Sequence, residues 1–171
     1  MALRIGLDVK LHYNKMTEAQ LTNLATRFRQ AIVTAKKERA FLRNDRMSEF
    51  PRGCCDDTAD LFSHYLYHEY GTVSIRIDGS YHDGNPENSC GHSWQEVDGL
   101  IVDLTGSQGQ FKYDPLFLNY DKDVYVGSTD DFHALFRVER REPCRGIEDL
   151  SSDCWNRMYG LYETIMRYLE L

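Results

Sequence analysis

His92-Ser93-Trp94-Gln95-Glu96-Val97-Asp98-Gly99-Leu100-Ile101-Val102-Asp103-Leu104-Thr105 is the stretch that decides the fold. Asp98-Gly99 sits between two runs of strand formers, and such a pair supplies the two positive-φ residues of a type I′ hairpin turn. A two-residue loop makes Val97 face Leu100, Trp94 face Asp103 and His92 face Thr105. Side chains alternate across a strand, so His92, Trp94 and Glu96 share one face with Ile101, Asp103 and Thr105. His92 and Asp103 then become diagonal neighbours. The carboxylate can accept one imidazole N–H and leave the other ring nitrogen free to act as a base.

Upstream of the hairpin, the pattern is helical. Thr17-Glu18-Ala19-Gln20 reads as a capping box. It opens a helix with Leu21, Leu24, Phe28, Ile32 and Ala35 on one stripe, expected to end near Leu42. Before it, Ala2–Leu11 alternates as a strand or extended arm. Pro51 and Gly53 break the chain. A second helix follows from Cys55 to Tyr70, with Cys55, Ala59, Phe62 and Leu66 on its buried side and Gly71 as C-cap. His64 and His68, an i, i+4 pair, fall on the opposite side and read as surface residues. Short strands are expected at Thr72–Ile77, Asp123–Gly127 and Ala134–Glu139, with a polar loop over Gly79–Gly91. Ser151-Ser152-Asp153 caps a closing helix whose apolar stripe is Trp155, Met158, Tyr162, Ile165 and Leu169. Helices, an antiparallel sheet and a closing helix make an α+β protein.

The chain has 171 residues, 42% hydrophobic and 27% charged, which suits one globular domain and excludes disorder. Its parts are a strand or arm plus a basic helix (1–50), a helix and sheet carrying the chemistry (51–140) and the closing helix (150–170). No apolar run approaches the roughly 20 residues that span a bilayer, so neither a membrane nor an export signal is expected and a cytoplasmic location is the default. The net charge of −7 divides into +5 for residues 1–50, −11 for 51–131 and −1 for 132–171. An acidic centre repels phosphates, so no nucleic-acid partner is expected. Five cysteines, an odd number, suit reduced thiols. There is no Cys-x-x-Cys, and the vicinal Cys54 and Cys55 with Cys90 and His92 lack zinc-site spacing, so no metal and no cofactor are expected.

A cysteine at a helix start is different. The helix dipole and the free N–H groups of the first turn favour its thiolate, and the same N–H groups can bind an oxyanion. Cys55, followed by His92 and Asp103, therefore makes a chemically complete nucleophilic site. Cys54 is the alternative nucleophile. Asp56 and Asp57 oppose a thiolate, and Arg52 is positioned to offset them. Trp94 is expected as a supporting core aromatic. Gln108 or Gln110, in the loop after Asp103, can donate to an oxyanion.

Pro51-Arg52-Gly53-Cys54-Cys55-Asp56-Asp57, Gly91-His92-Ser93-Trp94-Gln95-Glu96-Val97 and Val102-Asp103-Leu104-Thr105 together resemble the transglutaminase-like branch of the papain-fold cysteine enzymes. The likeness covers about a third of the chain. It implies the transglutaminase-like fold, with Cys55 as nucleophile, His92 as acid and base, Asp103 as orienting group and Trp94 as the strand's structural aromatic. It is similar, more loosely, to arylamine acetyltransferases. Two positions depart from the wider family: Asp56 stands where a Trp follows the nucleophile, and Glu49 where papain-like proteases carry a Gln. The resemblance implies a thiol hydrolase, thiol protease or acyltransferase acting on a peptide, protein or other amide substrate. Two other readings follow from it: a degenerate site kept as a protein-binding module, and a glutamine-modifying deamidase effector.

Overall fold

The structure, a computed structural model, describes residues 15–85, 87, 89–111 and 120–170. The expected strand at Ala2–Leu11 lies outside these residues. The first helix, α1 (Glu18–Lys37), begins with the complete capping box: Thr17 accepts from the Gln20 backbone N–H, and the Gln20 side chain accepts from that of Thr17. Its apolar stripe is buried, but it stops at Lys37, short of Leu42, which is 75% exposed. The second helix, α2, runs over Cys55–Tyr70 as the sequence predicts, and Gly71 closes it in the left-handed conformation at φ 65°.

Burial of α2 differs from a one-sided amphipathic helix. Asp57, Asp60, Ser63 and His64 are buried along with Phe62 and Leu66. The sheet lies on one side of α2, while the closing helix and the Gly146–Asp149 turn lie against it elsewhere. His64, expected at the surface, packs edge-on against Tyr162 with ring centres 4.6 Å apart, whereas His68 is exposed. Most polar groups that a helix carries inward are bonded, because an unpaired one is costly. Accordingly, Asp60 pairs with Arg76, Ser63 bonds Ser74 at 2.7 Å, and the Gln95 side chain bonds the Ala59 carbonyl.

The sheet is antiparallel, in the order β4-β3-β2-β1-β5: β1 (Ser74–Tyr81), β2 (Cys90–Val97), β3 (Leu100–Asp103), β4 (Tyr125–Gly127) and β5 (Arg137–Cys144). The β2–β3 register is the one predicted, Val97 opposite Leu100 and Gln95 opposite Val102. Asp98 and Gly99 take φ 54° and 86°, as a type I′ turn requires. Other strand limits move. β1 extends through Tyr81 into the expected polar loop, and β5 begins after Ala134 and continues to Cys144. Residues 137–143 of β5 are all exposed, so this edge strand has no buried face to impose alternation. Its charges and Pro143 also guard an open edge.

Two apolar clusters hold the layers together. The larger joins α1, α2 and the closing helix α3 (Ser152–Leu169) through Phe28, Phe62, Leu66, Met158 and Ile165, with α3 packed against α1. The smaller gathers Ile77, Tyr81, Trp94, Ile101, Phe132 and Phe136. Trp155, expected on the buried stripe of α3, is instead 36% exposed and stacks on Tyr159. Among the described residues, no helix is long and apolar enough to cross a membrane.

Two glycines give opposite tests of this packing. Gly146 sits at φ 69°, where a Cβ would come within 2.3 Å of the Asp60 carbonyl oxygen and the His64 nitrogen. Gly160 lies within α3 with open space around it. Gly146→Ala should cost roughly 3 kcal/mol or more, or prevent folding. Gly160→Ala should add roughly 0.5–1 kcal/mol by raising helix propensity. Thermal melts of the two variants check both signs.

Candidate active site

The site is built where the start of α2 meets the start of β2 and the end of β3. Cys54 is the N-cap of α2 and Cys55 its first residue. Cys54 gives no side-chain cap, so the first-turn N–H groups are not consumed by it. Its own sulfur is buried, 3.1 Å from the carbonyl oxygens of Arg46 and Arg52. Burial and the nearby Asp57 push that thiol up to about 12. Cys55, by contrast, lines an open cleft of about 620 Å³. Of the two candidate nucleophiles, only Cys55 faces solvent-accessible space.

Asp103 closes β3 at 1% exposure and is fully hydrogen-bonded. Its Oδ1 accepts from the Thr105 backbone N–H at 2.8 Å and from the Thr105 hydroxyl at 3.3 Å. Its Oδ2 accepts from His92 Nε2 at 2.7 Å. A carboxylate only accepts, so Nε2 of His92 carries the hydrogen. Burial alone would raise the Asp103 carboxyl, but the charge of His92 and hydrogen bonds from His133 and His92 hold it far below the usual range. The same contact acts on His92 in the other direction. Burial favours the neutral ring, yet Asp103 and, more weakly, Cys55 outweigh it and raise the imidazole to about 10.

The Cys55 thiol and the His92 ring line the same cleft, close enough for each to shift the other's ionisation. Burial opposes ionisation of the thiol. His92, then the Gln108 side chain and the Ser93 backbone, overcome this and lower the thiol below its ordinary value. The acids beside it are answered by arginines of two other segments. Arg46 lies 3.1 Å from Asp56 and 2.6 Å from Asp57, and Arg157 of α3 lies 2.7 Å from Asp57. Arg46 lies 10 residues before Asp56, but Arg157 is 100 residues from Asp57, and no local pattern reveals it.

Gln108 stands at the centre of the polar wall. Its Oε1 accepts from the Gly53 backbone N–H at 3.2 Å, and its amide nitrogen lies 2.8 Å from His92 Nδ1, where it donates to the neutral ring; once Nδ1 is protonated that contact must open, and the amide is left to the Cys55 side. Glu49 lines a separate groove with Lys36 and Arg43. The side chain of Gln110 lies outside the described residues. Trp94 does not reach the cleft. It is 3% exposed, and its ring stacks against His92 with centres 5.6 Å apart. The far wall of the cleft is aromatic, from Phe132 and Phe136. Its rim is of mixed charge, with Arg46 and Arg52 as well as Asp56, Asp78 and Glu139, rather than uniformly acidic.

His133 is the residue that sequence reasoning missed. Its Nε2 lies 3.1 Å from Asp103 Oδ2, and its Nδ1 lies 2.6 Å from Asp130 Oδ1. Only the Asp130-x-x-His133 spacing is local. The contact with Asp103 spans 30 residues and leaves no signal in the chain. His92, Asp103 and His133 bring ligand-type atoms within 4.8 Å of one another. Their spacings of 2.7 and 3.1 Å are those of hydrogen bonds, and the Oδ2 lone pairs are already taken by two ring N–H groups.

Comparisons of the chain with protein-family models, with curated proteins and with solved structures find no match.

A proton held more tightly in the folded than in the unfolded chain stabilises the fold. For His92 that stabilisation is complete below the ordinary imidazole value of 6.5 and is lost as pH rises through about 10. In a Cys55→Ala background, where the thiol does not titrate, urea unfolding should show stability falling across this window. The added change His92→Gln should remove the slope from 6.5 up to the ordinary thiol value of 9.0, above which the buried Cys54 and Cys144 thiols contribute their own. An equal slope in both proteins would contradict the assignment.

Proposed function

We propose that the protein is a cysteine hydrolase or acyltransferase acting on amide or peptide bonds, of the transglutaminase-like, papain-fold kind. The observation that carries this reading is the arrangement of Cys55 at a helix N-terminus, beside His92 whose Nε2–H is held by the buried Asp103, at the wall of an open cleft. The chain order supports it too: nucleophile at a helix start, base on a strand, orienting carboxylate at the end of the next. Peptide, protein or other amide substrates remain the reading's substrate class, with the Phe132–Phe136 wall taking an apolar part of the acyl group.

The chemistry follows from the charges. The Cys55 thiolate attacks the carbonyl carbon, a C–S bond forms and the carbonyl electrons move to oxygen. In this reading the first-turn N–H groups of α2 donate to that oxyanion, and the Gln108 amide, which lies beside His92, supplies the donor absent at Glu49. His92 passes its Nδ1 proton to the leaving nitrogen as the C–N bond breaks, and Nε2–H stays on Asp103. Water or an amine then attacks the thioester carbonyl. His92 takes the proton from that nucleophile, and the Cys55 thiolate leaves.

The test uses p-nitrophenyl acetate, a small activated acyl donor. Peptide mapping of the quenched reaction should place acetyl on Cys55 and leave the exposed Cys154 largely unmodified. His92→Ala should slow acylation about 10²- to 10⁴-fold. Gln108→Ala should slow it about 10²- to 10³-fold if it donates to the oxyanion. Equal acylation of Cys55 and Cys154, with no effect of His92→Ala, would sink the proposal.

A further inference from the structure

We propose that His133 is a positioning residue that sets how tightly the site holds the His92 proton. This rests on the reading of Cys55, His92 and Asp103 as a triad, and it adds a member from another part of the chain. His133 lies in the short turn His133–Leu135, between β4 and β5, and its side chain is 1% exposed. It reaches the same Asp103 oxygen that binds His92. Thr105 occupies Oδ1, while His92 and His133 share Oδ2 at 2.7 and 3.1 Å.

Sharing one oxygen has a consequence. Each N–H that a carboxylate oxygen accepts draws charge away from the other, so His133 weakens the hold of Asp103 on His92. It also fixes the plane of the carboxylate, which Thr105 anchors at Oδ1 alone. His133 is itself fixed from behind. Asp130 Oδ1 accepts from the His133 ring Nδ1 at 2.6 Å and from its backbone N–H at 2.9 Å, and the Tyr120 hydroxyl donates to Asp130 Oδ2 at 3.4 Å. The result is a chain of side chains, Cys55–His92–Asp103–His133–Asp130, in which only the first faces the cleft as nucleophile.

The charged and titratable groups around this chain come from several elements. Asp103 closes β3, and His92 of β2 lies with its ring centre 6.3 Å from that of His133. Tyr125 of β4 and Tyr120 have ring centres 5.3 and 6.4 Å from His133. Lys122 lies 3.6 Å from Asp130. Arg29 of α1 feels the Asp103 charge, and Cys55 and Gln108 face His92 from the cleft. His133 places a second donor on the oxygen that binds His92.

The probe is iodoacetate. As an anion, it reacts fastest with a thiolate beside a cation. Its rate with Cys55 should therefore rise as the thiolate forms and fall as His92 loses its proton, giving a bell in pH. His133→Phe keeps a ring but removes both donors. It should move the upper limb of the bell to higher pH by roughly one unit. His133→Gln can still place an amide N–H on Asp103 and should lie close to the wild type. A purely structural role for His133 predicts slower alkylation with the upper limb unmoved. That result, or a downward shift, would overturn the inference while leaving the triad standing. A wild-type profile with an ordinary thiol transition and no upper limb would overturn the proposed function itself, and this inference with it. If His133→Phe does not fold, the wild type labelled with ¹⁵N-histidine decides. Two exchange-protected Nε2–H signals, one assigned to His133 through the Gln variant, support the proposal; absence of the His133 signal overturns it.

Discussion

A carboxylate taken out of water is costly unless every lone pair is occupied, and Asp103 meets that demand with four donors. The rest of the site is arranged around this charge. Because it is buried and ionised, it raises the proton affinity of His92; because His92 then carries a positive charge, the neighbouring thiol ionises more readily. Electrostatic interactions of this kind are strong only where water is excluded. Trp94, Phe132 and Phe136, packed around the His92 ring, supply that exclusion.

The scaffold holds the loop beyond Asp103 with equal care. Arg29, buried on α1, donates to the Leu104 carbonyl at 2.9 Å, lies 3.4 Å from the Ser107 hydroxyl and pairs with Asp123. It thus ties the first helix to the turn that presents Gln108. Arg157 does the same at the other end, linking α3 to the start of α2 through Asp57 and to the preceding turn through Asp45 at 2.8 Å. The basic character of residues 1–50 is therefore only partly a solvated helix face: Arg29 and Arg46 reach inward to organise the site.

What could be read from the chain was what local geometry dictates. An Asp-Gly turn fixes the register of its hairpin, and that register places His92 diagonal to Asp103. A Pro-Arg-Gly break before an apolar stripe fixes where α2 starts, and so puts Cys55 at its first position. The α+β class followed from the same periodicities. The finer features depend on contacts across long sequence distances. His133 reaches Asp103 over 30 residues, and Arg157 reaches Asp57 over 100. Edge strand β5 has no buried face to mark it, and the polar side of α2 is buried by elements that the helix's own sequence does not announce. The difference between Cys54 and Cys55 is likewise tertiary: one thiol is buried among carbonyl oxygens and the other lines the cleft.

The central claim is that Asp103 makes His92 a strongly held imidazolium. The most direct measurement is the titration of His92 by ¹⁵N NMR in histidine-labelled protein, assigned with His92→Gln. The account predicts both ring nitrogens protonated at neutral pH, with the proton lost only near pH 10. A transition near 6.5, the ordinary imidazole value, would contradict it.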